Sequence, residues 1–419
     1  MYVGADIEHK SAGSRSGLSP SRMSVCRKSS NSCIMGTVQA SKPHWNCCLF
    51  CSRLLSASYR MSQITESSSA GTRSASNRGS APLTQTGGRS RLGQALGVRV
   101  ASTGSYAPAE IVTNDDLASL GCDSEWIIKR TGIRERRKAR PDEATSDMAY
   151  EAASRCLKDA GVDASEVDMI LVATMTPDHP TPSAACHLQR RLGATAPAMD
   201  VNAACAGFMY AMVTGSQFVA AGNAKKVLVV GADLMSRTIN PHDPKTYPLF
   251  GDGAGAVLLV PDKPEGAGLL KYTLGSEGCG GKMLCIPAGG SRTPLVPDAF
   301  NEGRHYLWMD GRAVFKWAVR VVAESSIDVL NELGMGPDDL NLIILHQANQ
   351  RIIDSAVSDL GVHRESVFVN VDRYGNTSAA SIPLALDEAV RAGKIERGQH
   401  ALLCGFGAGL AWGTAVLRW

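Results

Sequence analysis

The sequence predicts an α/β protein made of two similar halves. Beyond about residue 96, short β-branched segments alternate with helical segments, which is typical of layered α/β folds. The order of these segments occurs twice along the chain, and at 419 residues the chain is long enough for two or three structural units. We therefore expect functional groups in loops at strand ends, where the two halves meet.

Each half contains six predicted elements in the same order: strand, helix, strand, long helix, strand, strand. In the first half they occupy residues 167–174, 183–192, 197–202, 205–221, 226–231 and 255–260. In the second half they occupy residues 342–345, 350–360, 367–371, 378–392, 401–404 and 414–417. The repeat predicts two pseudo-symmetric halves, which we assign to residues 93–266 and 267–419.

Residues 1–92 differ in composition from the rest of the chain. They are rich in Ser, Arg and Gly, and their only acidic residues are Asp6, Glu8 and Glu66. Such a segment buries too little apolar surface to offset its ordering entropy, so we predict a disordered leader. Internal methionines such as Met61 favour an over-extended bacterial start, and hence a cytoplasmic protein. The alternative is a transit peptide for the plastid stroma.

Composition argues against several functional classes. A net charge of +3 is too small to indicate a nucleic-acid partner, and no apolar run reaches the roughly 18 to 20 residues that span a bilayer. The twelve cysteines are scattered through a long chain, which is not typical of a disulfide framework. The pair Cys48 and Cys51 has CxxC spacing but lacks further ligands. We expect no metal, no membrane span and no nucleic acid.

Three candidate catalytic residues lie at strand ends. Cys205 opens the long helix of the first half, where a helix N-terminus favours a thiolate. Its small neighbours let a substrate carbonyl approach, and its own N–H can stabilise an oxyanion. His346 follows the first strand of the second half, and Asn376 precedes that half's long helix. The alternatives are core packing for Cys205, a cap or core role for His346 and an ordinary turn for Asn376.

Six short segments together form a recognisable pattern. They are GSY at residues 104–106, EWIIKRTGIR at 125–134, AACAGF at 203–208, FGDGAG at 250–255, HQAN at 346–349 and GNTSAA at 375–380. With them, residues 95–419 resemble β-ketoacyl-acyl-carrier-protein synthase III, a family of the thiolase-like superfamily. The resemblance implies a layered α-β-α-β-α fold of two pseudo-symmetric halves.

The resemblance also implies an activity. The family condenses acetyl-CoA, or another short acyl-CoA, with malonyl-acyl carrier protein. Carbon dioxide is lost, and the acetoacetyl-carrier protein formed initiates type II fatty acid synthesis. The alternative within the same fold is a condensing enzyme of polyketide or other lipid synthesis. Acyl carrier protein and acyl-CoA are the implied partners, together with a second copy of the chain in a homodimer, and no cofactor is implied.

By resemblance, Cys205 carries the acyl group, while His346 and Asn376 donate hydrogen bonds to the malonyl thioester oxygen. The oxyanion donors are the backbone N–H groups of Cys205 and Ala408. Ala408 interrupts the glycine triplet that the family usually has, so its donor role requires a negative φ.

The implied coenzyme A contacts begin with Trp126 and Arg130, which stand four residues apart on a predicted helix and can clamp an adenine. The resemblance adds Gly311, Phe315 and Asn349 along the pantetheine arm. Lys245 lies near the place where the family often has an arginine. The acyl pocket is assigned to Phe250 and Thr181, and the small Thr181 leaves room for longer or branched primers.

A basic stripe is predicted on one helix, where Arg312, Lys316 and Arg320 recur every four residues. A solvated helix face is the alternative, but acyl carrier proteins are acidic. The resemblance places Lys316 beside the tunnel mouth. The proposed carrier-protein contacts are Lys316, Gln347, Ala348, Asn349, Gln350 and Arg351.

Three other interpretations are weaker. A papain-like hydrolase also uses Cys, His and Asn in this order, but its cysteine has different neighbours and its fold is not a repeated α/β pattern. The segment 250–255 resembles a dinucleotide loop, yet it leads into a predicted strand and not into a helix. A non-catalytic scaffold is disfavoured because all three triad positions are occupied.

Overall fold

The computed structural model describes residues 91–263 and 267–419. The leader predicted for residues 1–92 lies outside the described residues except at its end, where Arg91 already begins a strand. The pair Cys48 and Cys51 also lies outside them. The domain boundaries at residues 93, 266 and 267 stay predictions.

Strands and helices alternate along most of the described chain. The strands are β1 (Arg91–Leu96), β2 (Val98–Tyr106), β3 (Glu110–Thr113), β4 (Glu135–Lys138), β5 (Met169–Ala173), β6 (Ala198–Val201), β7 (Val227–Leu234), β8 (Asp252–Pro261), β9 (Gly268–Ser276), β10 (Leu284–Cys285), β11 (Trp308–Met309), β12 (Leu342–Leu345), β13 (His400–Gly407) and β14 (Ala411–Arg418). The α-helices are α1 (Ser124–Thr131), α2 (Thr145–Ala160), α3 (Ala184–Leu192), α4 (Gly207–Ala220), α5 (Pro297–Asn301), α6 (Gly311–Leu333), α7 (Gln350–Leu360), α8 (Val371–Tyr374) and α9 (Ser381–Arg391).

Two five-stranded sheets organise these elements. The first has the order β2-β8-β7-β5-β6, and the second has the order β1-β9-β14-β13-β12. Each sheet joins a parallel part, β5 with β6 and β7 or β12 with β13, to antiparallel neighbours. The strand β1 belongs to the second sheet although it comes first in the chain, because it pairs with β9.

One predicted element is wrong. Residues 367–371 were expected to form a strand equivalent to β6, but the structure has only a parallel bridge between Val367 and Ile343. The pairing stops because Asn370 leaves the extended conformation, with ψ of 13°, and the helix α8 begins at Val371. The side-chain amide of Asn370 instead donates a hydrogen bond to the carboxylate of Glu388.

The long helices α4 and α9 form the central layer between the sheets. Helix α4 contacts β5 and β7 of one sheet and β13 and β14 of the other, while α9 contacts β2, β8 and β12. Helix α4 is apolar on most of its circumference, which is typical of a helix buried on all sides. Helices α2 and α3 cover the first sheet, and α6 covers the second and packs against α7. The layers therefore follow the predicted order α-β-α-β-α.

Glycines let the central layer approach the sheets closely. A Cβ on Gly231 of β7 would lie 2.3 Å from the carbonyl oxygen of Ala379. A Cβ on Gly255 of β8 would lie 2.5 Å from the backbone nitrogen of Leu384 in α9. Because both neighbours are backbone atoms, any side chain here would push α9 away from the first sheet.

We expect Gly231→Ala to lower the free energy of unfolding by about 3 kcal/mol, because the added methyl group meets a backbone that cannot rotate away. Urea unfolding followed by circular dichroism measures the change. The control is Gly290→Ala, since a Cβ at this exposed glycine meets nothing within 4 Å, and its expected change is within about 0.5 kcal/mol. Equal stabilities of the two variants would contradict the close approach.

Candidate functional site

One cavity brings together the three predicted catalytic residues. Cys205, His346 and Asn376 all line a pocket of about 100 Å³ between elements of the two halves. Most of its other lining residues are apolar, among them Met175, Phe250, Leu284, Leu307, Phe315, Trp317 and Phe406. A reaction in this cavity would take place in an environment that excludes most water, where hydrogen bonds to a developing charge are strong.

Cys205 lies in a 3-10 turn, Ala204–Ala206, directly before α4. Its side chain is buried, and burial raises the pKa of the thiol to about 12. This shift opposes the thiolate that the helix N-terminus was expected to favour, because desolvation of a buried charge outweighs a partial helix charge. Further hydrogen-bond donors are therefore needed to stabilise a thiolate here.

His346 follows β12 and is buried, with 2% of its surface exposed. Its Nδ1 lies 2.6 Å from the Ser381 hydroxyl, whose oxygen also accepts the backbone N–H of Gln347 at 3.4 Å. Burial lowers the pKa of the imidazole to about 3, so His346 is neutral near pH 7. If Ser381 donates to Nδ1, the single imidazole proton is on Nε2, which bonds to no group in the described residues.

Asn376 lies in the loop between α8 and α9. Its backbone N–H donates to Leu249 at 2.8 Å, and its carbonyl accepts the N–H of Gly251 at 3.1 Å. Its side-chain Oδ1 accepts the backbone N–H of Ser378 at 2.8 Å. The oxygen is thus occupied, which leaves the Nδ2 amide as the group that can donate to a substrate in the cavity.

Asp233 connects the two halves behind the cavity. This residue is fully buried at the end of β7. Its Oδ1 accepts hydrogen bonds from the backbone N–H of Met175 and from Thr174 and Thr176, and its Oδ2 accepts the backbone N–H of Ala379 at 3.0 Å. A buried carboxylate with so many donors holds the turn before α9 against the first half.

Ala408 lies in the turn between β13 and β14 and lines the cavity. Among the non-glycine residues of 91–263 and 267–419, positive φ angles occur at Ala204 and Ser378, so Ala408 does not need glycine's conformational freedom. The preceding Gly407 is different, since a Cβ there would lie 2.8 Å from the backbone nitrogen of Cys205. Although Ala408 interrupts the glycine triplet, glycine is retained at Gly407, the position that lies against the backbone of Cys205.

The predicted coenzyme A contacts form a continuous path. In α1, the guanidinium of Arg130 lies 4.3 Å from the ring centroid of Trp126. The side chain of Asn349 donates to the carbonyl of Arg130 at 3.2 Å, which links α1 to the cavity wall. Asn349 lines the cavity together with Gly311 and Phe315 at the start of α6. These contacts connect the Trp126 and Arg130 pair to the cavity that contains Cys205.

The predicted carrier-protein residues divide into two groups. Lys316 and Arg351 are exposed near the cavity, and the guanidinium of Arg351 lies 5.2 Å from the ring centroid of Phe315. Ala348, Asn349 and Gln350 are half-buried beside them. Gln347 is buried, and its amide bonds to the backbone of Leu345 and Asn370. Its side chain is therefore not available to a protein partner.

The predicted basic stripe on α6 is shorter than expected. Arg312 and Lys316 are exposed, whereas Arg320 forms ion pairs with Glu277 at 3.3 Å and with Glu324 at 3.7 Å. Two of the three stripe residues therefore remain to attract an acidic partner.

The two predicted acyl-pocket residues differ in position. Phe250 lines the cavity, but Thr181 is exposed and is not part of its wall. Lys245 is also exposed, in a turn where its backbone N–H bonds to Asp243. The large residues Met175, Leu284 and Leu307 line the cavity together with Phe250.

Two family models match this chain. The model of 3-oxoacyl-[acyl-carrier-protein (ACP)] synthase III matches residues 199–278, and the model of its C-terminal part matches residues 330–419. The first match includes Cys205, and the second includes His346 and Asn376.

Known proteins match most of the described chain. A β-ketoacyl-[acyl-carrier-protein] synthase III of Rhodopirellula baltica is 66% identical over 345 residues, which cover 78% of this chain and 100% of that protein. The chain belongs to the β-ketoacyl-[acyl-carrier-protein] synthase III family. A synthase III of Caldanaerobacter subterraneus subsp. tengcongensis is 47% identical over 322 residues, which cover 76% of this chain and 97% of the relative.

A solved structure of the family has the same fold. The crystal structure of 3-oxoacyl-[acyl-carrier-protein] synthase III from Aquifex aeolicus superposes with a TM-score of 0.71 at 40% identity, covering 77% of this chain and 100% of the other. The family and the layered fold implied by the sequence motifs are therefore confirmed.

Sequence reasoning missed three polar residues around the synthase III cavity. Asp233, Ser378 and Ser381 each bond to a residue of the site or to its supporting turn. Both serines lie within or just after the GNTSAA segment, so the motif contained the signal, but nothing in the sequence shows which serine faces which partner. In residues 91–263 and 267–419, no group of three potential metal ligands lies together, and no helix is long and apolar enough to span a membrane.

The low pKa of His346 predicts a loss of stability at acid pH. In the unfolded chain a histidine binds a proton near pH 6.5, whereas folded His346 binds one only near pH 3. The unfolded state therefore holds more protons below pH 6.5, and stability falls as the pH decreases towards 3. Between pH 8 and pH 5 we expect His346 to account for a loss of about 2 kcal/mol.

Urea unfolding at both pH values tests this expectation. In His346→Gln, the difference in unfolding free energy between pH 8 and pH 5 should be about 2 kcal/mol smaller than in the wild type. The control is His242→Gln, which removes an exposed histidine and should leave the difference as it is. A His346→Gln variant with the wild-type pH dependence would contradict a neutral, buried imidazole.

Proposed function

We propose that the chain condenses acetyl-CoA, or another short acyl-CoA, with malonyl-acyl carrier protein to give acetoacetyl-acyl carrier protein. In this role it initiates type II fatty acid synthesis. The observation that carries the proposal is the convergence of Cys205, His346 and Asn376 on one apolar cavity of a synthase III fold. The relatives at 66% and 47% identity are both named β-ketoacyl-[acyl-carrier-protein] synthase III, and these names favour fatty acid synthesis over the alternative activity.

The first half-reaction is acyl transfer to Cys205. The sulfur forms a bond to the acetyl carbonyl carbon, the bond to the sulfur of coenzyme A breaks, and the proton of the Cys205 thiol ends on coenzyme A. The oxyanion formed on the way needs two donors, for which we propose the backbone N–H groups of Cys205 and Ala408. Trp126, Arg130, Gly311, Phe315 and Asn349 would bind coenzyme A.

The second half-reaction is decarboxylation followed by carbon–carbon bond formation. When carbon dioxide leaves the malonyl group, the electron pair of the broken carbon–carbon bond is delocalised onto the thioester oxygen, and an enolate forms. We propose that Nε2–H of His346 and Nδ2–H of Asn376 donate to this oxygen. The enolate carbon then bonds to the acetyl carbonyl carbon, and the Cys205 sulfur leaves and takes a proton from solvent.

The burial of His346 suits this task. A neutral imidazole with its proton on Nε2 can donate a hydrogen bond without giving up the proton, and the apolar wall strengthens that bond. The cavity also excludes water, which would otherwise protonate the enolate carbon before condensation. The chemistry consists of thioester exchange and decarboxylation, and we propose that it needs no cofactor beyond the two substrates.

Two further aspects belong to this proposal. Lys316, Arg351 and the half-buried residues Ala348, Asn349 and Gln350 would receive the acidic carrier protein. A homodimer is supported by β6, which is the edge strand of the first sheet and exposes 40% of Met199, since an uncovered apolar edge favours pairing with a second copy. We place the enzyme in the cytoplasm.

The catalytic roles predict a separation of the two half-reactions. After incubation with acetyl-CoA, we expect mass spectrometry to find one acetyl group on Cys205 of the wild type and of Asn376→Ala, and none on Cys205→Ala. Asn376→Ala should nevertheless lose condensation with malonyl-acyl carrier protein by about 10²- to 10³-fold, because one oxyanion donor is missing.

Two matched variants control for unspecific effects. Cys404→Ala removes another buried thiol, and Asn341→Ala removes an exposed asparagine, and both should retain acylation and condensation. Acetylation at a residue other than Cys205 would overturn the proposed nucleophile. An Asn376→Ala variant with wild-type condensation would overturn the proposed role of the amide.

The carrier-protein surface is tested by reversing the charge at Arg351. We expect Arg351→Glu to weaken binding of the acidic carrier protein by roughly 10-fold at low salt, with a smaller difference at high salt because the interaction is electrostatic. Acetylation by acetyl-CoA should stay intact. Calorimetric titration measures the binding, and Lys394→Glu, which lies beyond the far end of α9, is the control. Equal binding by the two variants would contradict this surface.

A further inference from the structure

A serine hydroxyl lies against the sulfur of Cys205. The Oγ of Ser378 is 3.3 Å from Sγ of Cys205, within hydrogen-bond distance for sulfur, and Ser378 is fully buried. The backbone N–H of Ser378 donates to the side chain of Asn376 at 2.8 Å. Ser378 therefore contacts two of the three proposed catalytic residues from a turn that belongs to the other half of the molecule than Cys205.

The backbone of Ser378 is strained. Among the described non-glycine residues, Ala204 with φ of 47° and Ser378 with φ of 52° adopt the left-handed region. Both begin 3-10 turns that lead into the central helices, Ala204–Ala206 before α4 and Ser378–Ala380 before α9. Strain of this kind costs of order 1 kcal/mol or more and clusters at functional sites. Ala204 directly precedes Cys205 in the chain, and Ser378 contacts its sulfur, so both strained residues adjoin one thiol.

Glycine would satisfy the backbone at residue 378 without strain. What serine adds at this position is a hydroxyl group, and that hydroxyl donates to the Cys205 sulfur at 3.3 Å, while the same side chain also lowers the pKa of the Asp233 carboxyl group. The residue type is therefore explained by the side-chain hydrogen bond and not by the turn.

The charges around Cys205 show why a donor is needed. Burial raises the pKa of the thiol, and the carboxylate of Asp233 in β7 raises it further. On the opposite side, His346 is neutral, and Asn376 carries no charge. The hydrogen bond from the Ser378 side chain lowers the thiol pKa, as does the backbone of Cys205 itself.

We propose that Ser378 is a further catalytic residue, whose hydroxyl donates a hydrogen bond to the Cys205 sulfur whenever that sulfur carries negative charge. The proposal rests on the proposed role of Cys205 as nucleophile. The hydroxyl already donates to the sulfur of the Cys205 thiol. This hydrogen bond becomes stronger when the thiolate attacks the acyl-CoA, and again when the thiolate leaves during condensation. Ser378 keeps its proton throughout, so the proton balance of both half-reactions is unchanged.

The test is the rate at which iodoacetamide alkylates Cys205 in the folded, full-length protein, read by mass spectrometry of the peptide that contains Cys205. Loss of a hydrogen bond to a charged group raises a pKa by about one to two units, and the remaining thiolate gains some nucleophilicity. We therefore expect Ser378→Ala and Ser378→Gly to be alkylated roughly 3- to 10-fold more slowly than the wild type at pH 8.

The two substitutions separate the hydroxyl from the backbone. Ser378→Gly suits the left-handed φ and should fold at least as well as the wild type, whereas Ser378→Ala keeps the strain. Equal slowing in both assigns the effect to the hydroxyl. The matched control is Ser102→Ala, which removes a buried hydroxyl 3.3 Å from the sulfur of another cysteine, Cys156, and should leave the alkylation rate of Cys205 unchanged.

A wild-type alkylation rate in folded Ser378→Gly, or the same slowing in Ser102→Ala, would overturn the proposal. The alkylation assay uses neither substrate, so it is independent of the proposed condensation. If acetyl-CoA fails to acylate Cys205 while the Ser378 variants still slow alkylation, the proposed function is wrong and the hydroxyl contact to the thiolate is right.

Discussion

The buried carboxylate of Asp233 is the interaction on which the site depends. Burial raises the pKa of this carboxyl group, and hydrogen bonds to its oxygens oppose that shift, with donors that come from both halves. Thr174 and Thr176 hold it from the end of β5, and Ala379 holds it from the turn before α9. The same turn carries Ser378, and α9 begins with Ser381, the partner of His346. One carboxylate thus aligns the groups that surround the thiol.

Close backbone contact is the second requirement. Gly231 and Gly255 let the start of α9 lie directly on the first sheet, and Gly407 lets the second sheet approach Cys205. A side chain at any of these positions would lie within 2.8 Å of a backbone atom of the facing layer and would push the layers apart. The donors of one half therefore lie within reach of the cysteine of the other half because glycines occupy the contacts.

The apolar cavity has opposite effects on its two titratable residues. Burial keeps His346 neutral, which suits a hydrogen-bond donor to a developing enolate. The same burial disfavours the thiolate of Cys205, which the reaction requires twice. A site that is dry enough to stabilise an enolate therefore needs a local donor for its nucleophile. The hydroxyl of Ser378 is placed to be that donor.

The sequence by itself determined the repeated α/β order, the family and the positions of Cys205, His346 and Asn376 at strand ends, because hydrophobic periodicity and short motifs are local properties of the chain. The strand predicted from the sequence at residues 367–371 was wrong, because the backbone leaves the extended conformation at Asn370. Only the tertiary structure decided that Gln347 is buried and that Ser378 and Ser381 face different partners. These outcomes depend on contacts between residues 35 positions apart (Ser381 and His346) and 173 positions apart (Ser378 and Cys205), or on packing around a side chain, and no local pattern encodes them.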